Sequence, residues 1–417
     1  MIIHNTKTLR PMNKAIITFL FSVLFGNVFI GQNYPHSYPE YKFINYNENV
    51  LEISENSNVD VFFNTLEEFF NKGSRSVNII HIGGSHIQAD IWSQRIRERF
   101  FNLSPFSSGG MGLVFPYRII KTNGAPYVKF KSDGNWKGYK NTSSKHGSGL
   151  GLKGITATTK DTITSLKLNI DSIKCLDCSF SSLKLIHNKT THCLTVDDKD
   201  LVSIIEDTLG KTTFIFKKEK HSTQIKIVQE DTSNKEFSIY GMLLEKRNPG
   251  IQYHSIGVNG ASVPSYLKID SLGRKLSIVK PDLAILSIGI NDAYVDEFNK
   301  ENFIENYDSL IVEIKQSNPD VVILFTTNND SYYKRKYPNE NAFLVREAMM
   351  DLAKKHHGAV WDMFGVMGGL NSIKKWQNNE LAKSDKIHFT HKGYRLIGDL
   401  LFEAIINSYG DYVRKHI

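Results

Sequence analysis

Cysteine is scarce in this chain of 417 residues: there are three, Cys175, Cys178 and Cys193, all in one short region. So few thiols exclude a disulfide-framed scaffold, and the C-x-x-C pair has no second pair to complete the four ligands of a structural zinc site. A local disulfide between two of the three remains open, in any combination. Neither sign of charge dominates. The formal charge is +8, from 51 Lys+Arg against 43 Asp+Glu; Lys7, Arg10 and Lys14 lie in the first 31 positions, which hold no acid, so the rest carries three fewer, +5, with no basic block. That is too dilute for a nucleic-acid surface. Repeats and low-complexity tracts are missing, and 11 Pro and 29 Gly beside 41% hydrophobic residues describe a packed globular chain rather than a collagenous or disordered one. The length allows anything from one elaborated α/β domain to three domains.

Long apolar runs are lacking apart from Ala15–Ile30, which is interrupted by Gly26 and Asn27 and falls short of the ~20 residues of a spanning helix. Behind its basic residues this run has the form of a secretory signal over residues 1–31, with Met12 an equally good start and a cut expected before Gln32. The expected location is therefore periplasmic or secreted, with no stable membrane span once the signal is removed; a retained anchor is the alternative. No cysteine stands near the run to carry a lipid.

Beyond a polar, aromatic stretch to about Asn58, a helical pattern covers Val59–Asn71. VNIIHIGG (Val77–Gly84) then reads as a buried strand feeding a helix from about Ala89 to Phe101. Similar runs recur late: IQYHSIG, LAILSIG, VVILFTT and AVWDMF, with helical segments near 262–274, 297–317 and 341–356 and a last helix over about Lys392–Tyr409. Strands alternating with helices predict a parallel sheet covered on both faces. Between Phe115 and about Pro249 the rhythm changes to short alternating stretches (SLKLNI, FSSLKLIH, TTFIFKK, TQIKIVQ, FSIYGMLLE), which predict an antiparallel β-sandwich inserted into the α/β domain. The expected division is 32–115 with 250–417 for the α/β domain and 116–249 for the insertion.

In an open parallel sheet, ligands bind beyond the carboxyl ends of the strands. Four such places carry reactive or donor groups. GGSHIQAD puts Ser85 at a tight strand-to-helix turn; GVNGAS offers the backbone N–H of Gly260; GINDAY offers the side-chain amide of Asn291; SDKIHFTHKGY supplies Asp385 and His388 before the last helix. A hydroxyl nucleophile, an imidazole base, a carboxylate to orient it and donors for an oxyanion are the requirements of acyl transfer to water.

In that order the four blocks resemble those of the SGNH (GDSL-like) hydrolase superfamily: Ser85, then Gly260, then Gly289-Ile290-Asn291-Asp292, then Asp385-Lys386-Ile387-His388. The resemblance spans about 75–115 and 250–410 and departs from the family at Gly84, where the usual G-D-S has its acid. It implies a three-layer, flavodoxin-like parallel-sheet fold and an esterase in which Ser85 attacks, His388 is the base, Asp385 orients it, and the N–H groups of Ser85 and Gly260 with the Asn291 side chain bind the oxyanion. No cofactor or metal is implied. A narrower resemblance, carried by the wording GGSHIQAD and by a β-rich insertion between the serine and glycine blocks, is to peptidoglycan O-acetylesterases with an inserted carbohydrate-binding-like domain; it implies an O-acetylated wall glycan as substrate.

Other readings attach to the same residues. His81, His86, Asp90 and His391 could be metal ligands, which would leave the serine and the oxyanion donors unexplained. His81 reads as packed inside its strand; His86 and Asp90 either support the turn or, for His86, touch substrate. Asn328, Asn329 and Asp330 after the fourth strand are a solvated turn or, for the two asparagines, sugar contacts. Gly109, Gly110 and Gly112 read as a domain-junction loop, since they lack the lysine and serine of a phosphate loop. Trp136 and Tyr139 are sandwich core or sugar-stacking residues. An O-acetyltransferase with the same acyl-enzyme, an acetylesterase on another polysaccharide and a non-catalytic glycan-binding protein are the alternative functions.

Overall fold

The computed structural model describes residues 38–416 except 145–148, 176, 190–191, 208–209 and 231–234. The expected signal, 1–31, lies outside the described residues. The first part of the chain contains β1 (Leu51–Ile53), α1 (Val59–Lys72), β2 (Val77–Gly83), a single helical turn α2 (Ser85–Gln88) and α3 (Ile91–Phe101). Eleven antiparallel strands follow: β3 (Gly112–Val114), β4 (Val128–Ser132), β5 (Lys137–Lys140), β6 (Ile155–Thr159), β7 (Ile163–Ile170), β8 (Phe180–His187), β9 (His192–Val196), β10 (Leu201–Asp207), β11 (Lys211–Lys220), β12 (Ser222–Gln229) and β13 (Phe237–Glu245). The α/β rhythm resumes with β14 (Ile251–Gly257), α4 (Val263–Leu267), α5 (Leu272–Leu276), β15 (Leu283–Ser287), α6 (Lys300–Ser317), β16 (Val322–Thr326), the hairpin β17 (Tyr332–Tyr333) and β18 (Tyr337–Pro338), α7 (Asn341–Lys355), β19 (Ala359–Trp361), α8 (Met363–Val366), α9 (Ser372–Asn378) and α10 (His391–His416).

The central sheet runs β1-β19-β16-β15-β2-β14, parallel except for β1 at its edge. Successive residues of a strand point to opposite faces, and here both faces are buried. Val77 and Ile79 of β2 join a cluster with Trp92, Phe100 and Leu400, from α3 and α10. Ile80 and Ile82 join the opposite cluster, with Tyr266, Leu310 and Met349 from α4, α6 and α7. Among the parallel strands the second in the chain, β14, sits outside the first, β2, while β15, β16 and β19 extend the other way. This is the flavodoxin-like order, and its switch point falls between β2 and β15, the strands that lead into Ser85 and Asn291.

The inserted strands form two sheets, β10-β11-β8-β13-β6-β5 with β3 on β13, and β4-β7-β12-β9. Alternating side chains such as Leu166 and Leu168 from one sheet and Leu183, Phe214 and Ile239 from the other make the core between them, a sandwich. Cys175 and Cys178 are joined in a disulfide with Cα atoms 5.5 Å apart, and Cys193 is free.

Several local expectations need correction. The stretch before Asn58 is not only polar loop: Leu51–Ile53 pairs antiparallel with β19. The segment 262–274 is two short helices rather than one, because Lys268 caps α4 and Ser271 takes a left-handed conformation, φ 52°, before α5. The helix expected from Ala89 starts at Ile91, since Asp90 is left-handed at φ 53°, and the last helix runs on to His416. Strands β3, β4, β5, β6, β9 and β10 lie outside the alternating stretches that predict the insertion. No helix among the described residues is long and apolar enough to cross a membrane.

Candidate active site

Ser85 begins α2 directly after β2, so the strand's end fixes its backbone and the helical turn lifts its hydroxyl away from the sheet. Its Oγ lies 2.8 Å from His388 Nε2. His388 Nδ1 lies 2.9 Å from Asp385 Oδ2, and the other carboxylate oxygen accepts the backbone N–H groups of Ile387 at 3.0 Å and His388 at 2.9 Å. Partial burial raises the Asp385 carboxyl, but these amides and the His388 ring outweigh it and hold its pKa below the ordinary value. Asp385 is thereby kept ionised, which favours the His388 tautomer with its proton on Nδ1 and its lone pair towards Ser85.

Gly260 and Asn291 stand on the same cavity as Ser85 and His388, a cleft of about 560 Å³. Val258–Ala261 is a turn closed by the Ala261 N–H on the Val258 carbonyl at 3.0 Å, and Gly260 takes φ 79° within it, a conformation that favours glycine. One N–H of the Asn291 amide donates to the Ala261 carbonyl at 2.9 Å, so the same loop that carries Gly260 orients the Asn291 side chain. Asp292 secures the next residues by accepting the Val263 N–H with both oxygens, at 3.1 and 3.2 Å. Burial pushes its carboxyl up to about 6, against the pull of the Val263 amide.

The structure puts His86, Asn328 and Asn329 elsewhere. All three are buried and none is on the cleft wall. His86 follows Ser85 on a helical turn, so its side chain points about 100° away from the serine's, into the protein. There its Nδ1 lies 2.7 Å from the Tyr394 hydroxyl, and burial, with the neighbouring His388 adding, lowers its pKa to about 3. Asn329 Nδ2 donates to the carbonyls of Asp330 and Ile387, at 2.9 and 3.1 Å, and supports the segment that carries His388. The polar side chains that do line the cleft include Asn123, Asn259, Tyr294, Lys383 and His391. Only His391 had been singled out, and nothing in local sequence pattern marks Asn123, which comes from before β4.

The four suggested metal ligands are dispersed. His81 sits between the Tyr253 hydroxyl at 2.7 Å and Ser287 Oγ at 2.5 Å, and burial lowers its pKa to about 3. Asp90 pairs with Arg97 at 3.4 Å. Among the described residues no three His, Cys, Asp or Glu side chains are grouped to hold a metal. Gly109 and Gly110 pack against Gly250 and Leu244–Lys246, where the inserted strands return to the sheet. Trp136 is half-buried, with its Nε1 on Ser132 Oγ at 2.8 Å, and neither it nor Tyr139 lines the cleft.

Residues 227–396 match the sequence profile of the GDSL-like lipase/acylhydrolase family, a span that includes Gly260, Asn291, Asp385 and His388 and leaves out Ser85. No curated protein matches the chain. Among solved structures, a peptidoglycan O-acetylesterase superposes with a TM-score of 0.71 at 21% identity, covering 86% of this chain and 99% of that one. A lipase/acylhydrolase from Enterococcus faecalis matches with TM-score 0.31 and 21% identity over 38% of this chain and 77% of that one. A family two carbohydrate esterase from Cellvibrio japonicus matches with TM-score 0.28 and 10% identity over 69% of this chain and 99% of that one. The last two are too distant in fold to bear on the assignment. Residues 227–396 thus resemble the GDSL-like lipase/acylhydrolase family, and over 86% of the chain the fold is the one seen in a peptidoglycan O-acetylesterase.

Proposed function

We propose that this protein is an exported serine esterase that removes O-acetyl groups from a cell-wall glycan, in the manner of a peptidoglycan O-acetylesterase. The observation that carries the reading is the unbroken relay from Ser85 Oγ to His388 Nε2 at 2.8 Å and from His388 Nδ1 to Asp385 at 2.9 Å, opening on the cleft that Gly260 and Asn291 also line. In this reading Ser85 Oγ bonds to the acetyl carbonyl carbon as its proton passes to His388 Nε2. The carbonyl oxygen becomes an oxyanion, bound by the N–H groups of Ser85 and Gly260 and by Asn291 Nδ2. Collapse breaks the ester bond, and His388 returns the proton to the departing sugar hydroxyl, leaving acetyl-Ser85. Water then repeats the sequence, giving its proton to His388, which passes it to Ser85 Oγ as the acyl–Oγ bond breaks and acetate leaves.

The glycan is suggested by the peptidoglycan O-acetylesterase whose whole length this fold follows, and the export by the sequence of residues 1–31. The test compares wild type with Ser85→Ala on O-acetylated peptidoglycan, acetylated xylan and a small acetyl ester, measuring released acetate by mass spectrometry. Release from all esters should vanish in the variant, and peptidoglycan should be the best polymeric substrate. An unchanged rate in Ser85→Ala would overturn the mechanism, and a preference for xylan would overturn the substrate.

A further inference from the structure

Gln88 ends the helical turn that Ser85 begins, and it is 1% exposed. Both ends of its amide are engaged. Its Oε1 accepts the backbone N–H of Asn259 at 2.6 Å. Its Nε2 lies 2.7 Å from the Asn123 carbonyl oxygen, 3.2 Å from Asn123 Oδ1 and 3.2 Å from Thr122 Oγ1. Asn259 closes the ring by donating its own side-chain N–H to Asn123 Oδ1 at 2.6 Å. Thr122 and Asn123 lie between β3 and β4, at the start of the insertion, while Asn259 immediately precedes Gly260 in the turn that lines the cleft.

We propose that Gln88 is a positioning residue for the oxyanion loop Val258–Ala261, and that through it Thr122 and Asn123 of the insertion set the turnover of the site. The proposal rests on the esterase reading given above. The carbonyl of Asn259 shares a peptide unit with the Gly260 N–H, so anchoring the Asn259 backbone fixes the residue from which that donor projects. Ser85 and Gln88 belong to one turn, which holds the nucleophile and the loop in a common frame. A primary amide suits the place because it carries an acceptor and a two-proton donor on one rigid plane, and with Gln88 itself buried both ends find their partners within the protein. The insertion thereby becomes part of the ester-cleaving apparatus, and its effect should appear even with a substrate that has no sugar.

The test is steady-state kinetics on a small acetyl ester with Gln88→Met, which keeps the side chain's length and loses every polar contact, and Gln88→Glu, which keeps the oxygen that accepts from Asn259. Loosening an oxyanion donor weakens transition-state binding more than substrate binding, so Gln88→Met should lower kcat about 10- to 100-fold with KM within about threefold. The pH dependence of kcat should keep its shape, because Asp385 and His388 are untouched. Gln88→Glu should recover at least about fivefold of the loss. A kcat for Gln88→Met within twofold of wild type, a loss confined to KM, or no recovery in Gln88→Glu overturns the proposal. If Gln88→Met does not fold, Asn123→Ala carries the test: a kcat about 3- to 10-fold lower supports it and an unchanged kcat overturns it. Ser85→Ala, assayed beside these variants, separates this proposal from the esterase reading, since an active Ser85→Ala would sink both and an inactive one leaves the Gln88 result to stand alone.

Discussion

Gly84 is the point where the serine block departs from the G-D-S pattern it otherwise resembles, and the structure gives that departure a measurable consequence. The backbone at Gly84, φ −92° and ψ −137°, does not lie in the left-handed region, so backbone strain is not the reason for glycine here. The reason is proximity: a Cβ at this position would stand 3.2 Å from Asn291 Nδ2 and 3.5 Å from the Ala261 carbonyl. Contacts near 3.2 Å are tighter than ordinary packing, and the atom that must yield is the side-chain donor assigned to the oxyanion. Gly84→Ala should therefore push Asn291 by a few tenths of an ångström, against its bond to Ala261. Losing such a donor outright costs about 2.7–4 kcal/mol of transition-state stabilisation, or about 100- to 1,000-fold in kcat. A displacement that forfeits a quarter to a half of this gives about 0.7–2 kcal/mol, or about 3- to 30-fold. Gly84→Asp should lose at least as much, since its carboxylate would compete for the Asn291 amide. The assay is kcat and KM on a small acetyl ester with the unfolding midpoint measured in parallel, and Asn291→Ala supplies the ceiling. In the Asn291→Ala background, Gly84→Ala should add almost nothing, because the two changes strike the same interaction. A kcat for Gly84→Ala within twofold of wild type, or full additivity with Asn291→Ala, would refute the reasoning.

Asp385→Asn should leave the fold intact and lower kcat by about 10⁴-fold at neutral pH, as expected when an orienting carboxylate is replaced and the imidazole tautomer is lost; a loss under tenfold in single-turnover kinetics would remove Asp385 from the relay. Lys153 is fully buried, and burial lowers its ammonium pKa from 10.5 to about 7, with Asp90 opposing the shift. The folded lysine thus holds fewer protons than the unfolded one between about pH 7 and 10.5, so the stability linked to it is complete above the upper value and is lost as pH falls through about 7. Lys153→Met should abolish this slope, making the variant relatively more stable against denaturant at pH 7 than at pH 10; a constant difference between the two proteins across that range would contradict the assignment.

Ser85, Gly260 and Asn291 were legible in the sequence because each follows a continuous apolar run that reads as a doubly buried strand, whereas Asp385 and His388 were marked only by their spacing, three residues apart before the last helix. Topology then brings the ends of such strands together whatever lies between them in the chain. Ser85 and Asn291 follow β2 and β15, neighbours in the sheet. What failed was the step from adjacency to direction. His86 is next to Ser85 and faces the core, and Asn328 and Asn329 come one residue after the end of β16, yet they are buried. Asn123, Asn259 and Tyr294 reach the cleft through loops whose course is fixed by distant partners, so no local periodicity announces them. The short strand KGYK (β5) carries little apolar alternation, and the edge strand LVSIIED (β10) leaves Val202 and Ile205 exposed, which is why both escaped a reading based on one buried face. The disulfide was open among three cysteines, and only the packing of the loop that follows β7 pairs Cys175 with Cys178.

The insertion and the sheet meet through buried polar and charged groups as well as through apolar packing, in which Leu150, Leu152 and Ile155 share a core with Ile80, Ile82 and Ile256. Arg97 of α3 is wholly buried and bonds Asp90, Gln94 Oε1 at 2.5 Å, the Tyr127 hydroxyl at 3.1 Å and the Tyr253 carbonyl at 2.9 Å. Tyr127 belongs to the insertion and Tyr253 to β14, so one guanidinium is satisfied only when both parts are in place. From the other side, Lys153 of the insertion bonds the carbonyls of Leu113 and of Ser255 on β14. A buried charge is tolerated when every donor finds a partner and is strongly destabilising when one is removed. Such a junction resists sliding, because any shift would strand Arg97 or Lys153 without an acceptor. A rigid junction is what the ring of Gln88, Asn123 and Asn259 requires: hydrogen bonds of 2.6–2.7 Å across it can hold the oxyanion loop only if the insertion's first loop does not move relative to β2 and β14. The buried ion pair at Asp90 and the amide at Gln88 are two residues apart in GGSHIQAD, so the block that carries the nucleophile also carries the contacts that fix the insertion to the sheet.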